Sequence, residues 1–241
     1  MDPSTTDPTV LGYDELSERT DADGWESPWG DNPLQEHYSW PATRALLPNL
    51  DGQRVLDAGC GVGDHVEELL DDGATVVGID VSEPAVETAR DRFDDRASFE
   101  RADLAEPLPF GDDAFDVVCS HLVLDHIENL TDPFSEFRRV LTADGSLVFT
   151  VVHPMQYYLD YDAVAEYYGT TAVTLGWEGV DITSYQRPVG EILTALVDAG
   201  FRIDAVEEPR PTAAYEAHAA DDWNVNERPQ ILCVRARSGD Q

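Results

Sequence analysis

Between residues 54 and 152, short apolar runs alternate with amphipathic segments a few helical turns long, and no other feature of the chain narrows its fold so far. The runs cover residues 54–58, 75–80, 98–102, 115–120 and 145–152. All of these except 98–102 are rich in Val, Ile or Leu, as buried strands are, and the intervening segments supply the helices that cover them. A βαβ succession of this kind predicts an α/β fold with a central, mostly parallel sheet and helices on both faces. The spacing predicts a helix over 64–70 ended by Gly73 and another over 83–93 capped by Ser82. A third spans 133–141, with Asp132 as its N-cap and Phe134, Phe137, Val140 and Leu141 on one face. The rhythm returns with a helix over 188–199 that buries Val189, Ile192, Leu193, Leu196 and Val197. Strands over 201–206 and 230–235 follow, the second after a loop containing Trp223.

Two tracts stand outside this rhythm. Residues 1–37 form an acidic N-terminal extension whose first ten or so positions read as disordered, being rich in Asp, Pro, Ser and Thr. Trp25, Trp29, Tyr38 and Trp40 then lead into the domain proper, residues 38–241. The second tract, 154–187, carries Tyr157, Tyr158, Tyr161, Tyr167, Tyr168, Trp177 and Tyr185 and reads as an aromatic-rich insertion after the fifth strand. Its tyrosines are expected either to pack as a lid or to line an acceptor pocket with Tyr38 and Trp40. The opening residues lack the basic start and apolar stretch of a leader, and no run approaches the ~20 apolar residues of a spanning helix. Cys60, Cys119 and Cys233 are far apart and form no CxxC pair, so no disulfide framework or metal cluster is expected, and a reducing cytoplasm fits.

The charge is extreme, with 49 acidic against 15 basic residues and a net of −34. Every basic residue is arginine, because the chain contains no lysine. That excludes Schiff-base chemistry, a pyridoxal phosphate anchor and a Walker-type phosphate lysine. Acid pairs such as Asp71-Asp72, Asp112-Asp113 and Asp221-Asp222 are spread along the chain, as on a strongly hydrated surface adapted to high salt. An acidic patch recruiting a basic partner would be local, whereas this bias is global.

The chemistry concentrates in Val55-Leu56-Asp57-Ala58-Gly59-Cys60-Gly61-Val62-Gly63, a strand running into a glycine-rich turn that opens a helix. Glycine permits an approach to the backbone closer than any Cβ allows. Asp80 follows Gly59 by 21 residues and closes the second strand, where a carboxylate accepts hydrogen bonds from the ribose hydroxyls of an adenosine-type ligand. The place of the third glycine of a dinucleotide loop is taken by Asp64. An acid there repels a pyrophosphate and, with Asp57, suits a cationic ligand without phosphate.

These residues resemble the class I S-adenosylmethionine-dependent methyltransferases, in particular the UbiE-like, small-molecule branch. The likeness runs through residues 38–153. Asp57-Ala58-Gly59-Cys60-Gly61 is similar to the family's first motif, Ala102-Asp103-Leu104 to its third-strand motif, and the run from Phe115 to Ser120 to its fourth-strand motif. The resemblance implies a Rossmann-like sheet of seven strands with the last antiparallel, and S-adenosylmethionine as cofactor. It also implies a cofactor-binding set of Tyr38, Asp57, Gly59, Cys60, Gly61, Asp80, Val81, Asp103, Leu104, Ser120 and His121. Methyl transfer to a small-molecule acceptor by in-line displacement then follows, with a base required only for a protonated acceptor. Candidates for that base are His121, Asp125, His126 and His153, near strand ends. A nucleic-acid acceptor is disfavoured, since neither an Asn/Asp-Pro-Pro-Tyr motif, a Pro-Cys nucleophile nor a basic face is present. Two alternatives stay open: a non-catalytic S-adenosylmethionine-binding module and a nicotinamide-dependent oxidoreductase. The acceptor and the oligomeric state are not legible.

Overall fold

The computed structural model of the protein describes residues 8–19, 32–177, 179–218 and 227–239. Trp25, Trp29 and Trp223 lie outside them. The parallel part of the sheet is built from β1 (Arg54–Ala58), β2 (Thr75–Asp80), β3 (Ser98–Arg101), β4 (Phe115–His121) and β5 (Leu141–Val152). With β8 (Phe201–Glu207) and β9 (Ile231–Ser238) these make a seven-stranded sheet in the order β3-β2-β1-β4-β5-β9-β8. β9 runs antiparallel to both neighbours, so the expected mostly parallel sheet with an antiparallel last strand is found. Four of the five residues of β1 are buried, Val55, Leu56 and Ala58 as apolar core and Asp57 as the exception. The strand order reverses between β1 and β4, and a crevice opens there beyond their C-terminal ends.

The helices bury the faces the pattern assigned, with adjustments at their ends. α3 (Val66–Asp71) and α4 (Glu83–Phe93) follow β1 and β2, and the Ser82 hydroxyl accepts from the Ala85 N–H at 3.3 Å. α5 (Thr131–Val140) begins two residues before the expected start, because the Asn129 side chain accepts the Thr131 N–H at 3.0 Å. Asp132 is therefore a first-turn acid rather than the N-cap. Phe134, Phe137, Val140 and Leu141 are all buried. In α7 (Val189–Asp198) Ile192 and Leu196 are buried, Val189 and Leu193 pack against the same core, and Val197 is 51% exposed, contrary to expectation.

The two tracts outside the alternation meet each other. The insertion forms α6 (Pro154–Asp160) and an antiparallel hairpin of β6 (Thr171–Trp177) and β7 (Val180–Gln186). The first described residues form α1 (Pro8–Glu18), so positions 8–10 are helical rather than disordered. α1 lies on β7: Leu16 packs against Val180 and Ile182, and the Thr183 N–H donates to the Thr9 hydroxyl at 3.2 Å. Gly12 keeps the approach close, since a Cβ there would sit 3.3 Å from the Asp181 carbonyl oxygen. α2 (Trp40–Leu46) follows a single π-type turn at Gln35–Ser39 and leads to β1.

Candidate functional site

β1 ends in a turn whose three glycines all have positive φ: Gly59 at 87°, Gly61 at 52° and Gly63 at 84°. At Gly59 the requirement is steric as well, because a Cβ would stand 2.3 Å from Val123 Cγ2 in the segment after β4. At Gly61 nothing lies within 4 Å of the added Cβ. The N–H groups of Gly59 and Cys60 both donate to the Ile79 carbonyl, at 2.8 and 2.9 Å, tying the turn to β2. Asp80 completes the link: Oδ2 accepts the Gly61 N–H and Oδ1 the Ser82 N–H, each at 2.9 Å.

Beyond this turn lies a cavity of about 430 Å³. Asp57, Gly59, Cys60, Gly61, Asp80 and Val81 line its floor, Asp103 and Leu104 one end, and residues 121–123 and 126–128 a wall. Thr9, Val10, Tyr13 and Ser17 of α1, with Tyr185 of β7, cover it. Asp57 is 4% exposed, and among the described residues no donor meets its carboxylate. Burial, then repulsion from Asp80 and Asp64, pushes it up to about 7. Burial also raises Asp80, against the opposing effect of its backbone N–H donors. Asp64 also lines the cavity and reaches Arg92 at 3.2 Å, which offsets part of its charge.

Two of the three histidines singled out from sequence line this cavity. His121 Nδ1 is 3.1 Å from His65 Nε2, and His121 Nε2 is 3.0 Å from the Ser39 hydroxyl. His126 Nδ1 is 2.9 Å from the Thr183 carbonyl, which can only accept, so the ring hydrogen sits on Nδ1. His126 Nε2 then accepts the Tyr13 O–H at 2.8 Å. Burial holds both imidazoles below their ordinary value and therefore neutral.

His153 is elsewhere. Its Nδ1 accepts the Met155 N–H at 3.1 Å as the N-cap of α6, and its Nε2 meets Glu208 at 2.8 Å, so it fixes a strand-to-helix joint. Ser120 also leaves the expected set: its hydroxyl is fully buried and donates to the Ala58 carbonyl at 2.9 Å, pinning β4 to β1. Tyr38 turns away from the cavity, packing on Ile231 and Cys233 and stacking on Tyr215 at 5.2 Å. Trp40 stacks on His65 and is not among the residues that line the cavity. Asp125 is buried behind the wall, accepting the Val152 N–H at 2.9 Å. In the insertion Tyr185 reaches the cavity, while Tyr157 and Tyr161 line a second one of about 370 Å³. The residues missed from sequence are His65, which also lines the cavity, and Tyr13 with its neighbours. Thr9, Val10, Tyr13, Leu16 and Ser17 recur with helical spacing in a tract otherwise read as tail.

A family model described as a methyltransferase domain matches residues 56–149. The methyltransferase GfsG of Streptomyces halstedii is 33% identical over 78% of this chain and 69% of its own length. Demethylmenaquinone methyltransferase of Clavibacter sepedonicus is 36% identical over 56% of this chain, which spans about half, 54%, of that protein. An S-adenosylmethionine-dependent methyltransferase from Mesorhizobium loti shares the fold with a TM-score of 0.70 at 32% identity, across 85% of this chain and 99% of its own. This chain belongs to the S-adenosylmethionine-dependent methyltransferases, and its sheet is the Rossmann-like class I form. S-adenosylmethionine is its cofactor. Among the described residues no helix is long and apolar enough to cross a membrane, and no cluster fit to hold a metal ion occurs.

Proposed function

We propose that the chain methylates a small organic acceptor and that Asp57, Gly59, Cys60, Gly61, Asp80, Val81, Asp103, Leu104 and His121 hold the cofactor. The observation that carries this reading is Asp57, a buried carboxylate without a donor that faces a covered cavity. Such a group is costly until a cation meets it, and the ammonium group of S-adenosylmethionine is that cation. Asp80 uses one lone pair of each oxygen on backbone N–H groups, and the remaining pairs suit two ribose hydroxyls. Asp103 and Leu104, after β3, suit the adenine edge.

When bound, the cofactor supplies an electrophilic sulfonium methyl. The protein's own residues then align the acceptor in line with it and keep water out. α1 and Tyr185 act as the cover, which gives the 1–37 extension and the 154–187 insertion a shared purpose. Where the acceptor carries a proton, the Tyr13 oxygen takes it as the Tyr13 hydroxyl hydrogen passes to Nε2 of the neutral His126. Relatives named for demethylmenaquinone and for 27-O-demethylrifamycin SV support acceptors of this kind. The net charge of −34 supports work in a salt-rich cytoplasm and disfavours nucleic acid. A screen of quinol and polyketide acceptors with tritiated-methyl S-adenosylmethionine tests the reading. Label in an organic product supports it; cofactor binding with transfer to none of the acceptors would favour a non-catalytic binding module.

A further inference from the structure

The amino-acid end of the cofactor carries a carboxylate as well as an ammonium group, and the cavity offers that anion no cation. The chain has no lysine, and no arginine lines the cavity among the described residues. Beside the glycine turn, however, stands a chain of neutral donors. Ser39, fully buried, is 3.0 Å from His121 Nε2, and His121 Nδ1 is 3.1 Å from His65 Nε2. Trp40 holds the His65 ring plane by stacking at 3.9 Å and 7°, and its own indole N–H donates to Glu68 at 2.9 Å. His65 lines the cavity, and its Nδ1 has no partner among the described residues.

We infer that His65 donates its Nδ1 hydrogen to the carboxylate at the amino-acid end of the cofactor, and that Ser39 and His121 fix the tautomer that makes this possible. The inference rests on the cofactor assignment. Each neutral imidazole has one ring hydrogen, so the chain runs in a single direction. With Ser39 donating to His121 Nε2, the His121 hydrogen sits on Nδ1 and goes to His65 Nε2. The His65 hydrogen is left on Nδ1. The reverse direction would leave a bare lone pair there, suited to the ammonium group that Asp57 already meets. Burial holds His65 down to about 3 and His121 well below its ordinary value, so both rings stay neutral and the chain intact at working pH. For the carboxylate His65 is the binding residue; Ser39 and His121 act on it as positioning residues, and His121 otherwise meets the cofactor only as part of the cavity wall.

Calorimetry on the full chain in molar KCl tests this with two probes, S-adenosylhomocysteine and S-adenosyl-3-thiopropylamine, which keeps the amine and lacks the carboxylate. His65→Phe retains the stacking on Trp40 and removes the donor. It should weaken S-adenosylhomocysteine about tenfold and leave the thiopropylamine within about twofold. Ser39→Ala should move the same ratio in the same direction by a smaller factor. Nitrogen-15 shifts of the histidine rings in the S-adenosylhomocysteine complex of the unaltered protein should show His65 and His121 each protonated at Nδ1. Equal weakening of both probes, no weakening, or a hydrogen on His65 Nε2 would overturn the inference. Failure of the unaltered protein to bind S-adenosylhomocysteine would overturn the cofactor assignment itself, and the inference with it.

Discussion

Replacing Asp57 by Asn should stabilise the protein and damage its cofactor site at once. Asp57 is 4% exposed, and its carboxyl is raised from 3.8 to about 7, first by burial and then by Asp80 and Asp64. In the unfolded chain the group titrates near 3.8, so the folded protein holds an extra proton between the two values. The contribution of Asp57 to stability is therefore most favourable below about 4, falls as pH rises, and is at its worst above about 7. Each tenfold change in proton affinity is worth about 1.4 kcal/mol, which sets an upper limit of roughly 4 kcal/mol for the cost at pH 8. Asp57 borders a cavity, so about 2 to 4 kcal/mol is expected, or a melting temperature higher by about 5–15 °C for Asp57→Asn at pH 8 and nearly unchanged at pH 4. Asp125, also pushed up to about 7 by burial, titrates in both proteins and cancels in the difference. The same substitution should weaken S-adenosylhomocysteine binding at pH 8. In the unaltered protein, binding at pH 6 should release close to one proton, read from calorimetry in two buffers of different ionisation enthalpy. A variant less stable than its parent at pH 8, or one that binds equally well, would refute the reasoning.

Asp80→Ala should cost about 2 to 3 kcal/mol of cofactor binding, and also some stability, because it strands the N–H groups of Gly61 and Ser82; affinity within twofold of the parent, by calorimetry, would exclude Asp80 from the ribose site. Deleting residues 1–37 removes α1 and uncovers Val180 and Ile182, so circular dichroism should report a folded sheet while cofactor retention drops and transfer is lost; unaltered turnover would make the extension a solvated tail. With a net charge of −34, the melting temperature should climb steeply between 0.1 and 2 M KCl, and a flat profile would oppose adaptation to salt.

The sheet was legible because the inner parallel strands are covered on both faces, which keeps their sequences largely apolar whatever the long-range partners are, while the edge strand β3, with Phe99 alone buried, carried a weaker signal. The glycine turn was legible for a similar reason: Gly59, Gly61 and Gly63 adopt a backbone few other residues accept. What escaped depends on contacts between distant segments. α1 has a modest apolar face and acquires its stability by docking on β7, so the tract resembled a tail. The hairpin did carry a period-two signal, with Val180, Ile182 and Ser184 buried in alternation, but the tyrosines around it drew the reading toward a lid or an acceptor pocket without assigning strands. His153 and Ser120 sit at strand ends, as site residues do, and nothing local reveals that Glu208 and the Ala58 carbonyl occupy them. Asn129 displaced Asp132 as the group bonded at the start of α5, a choice between two capping side chains three positions apart.

The central claim is that the acidic floor under the glycine turn holds a cationic, phosphate-free adenosine ligand. Calorimetry of the full chain in molar KCl, titrated in turn with S-adenosylhomocysteine, S-adenosylmethionine and NAD, addresses it most directly. Both sulfur ligands should bind and NAD should give no heat of binding, because a pyrophosphate would face Asp57 and Asp80, the chain has no lysine, and among the described residues no arginine lines the cavity to offset them. NAD bound more tightly than either sulfur ligand would contradict the account.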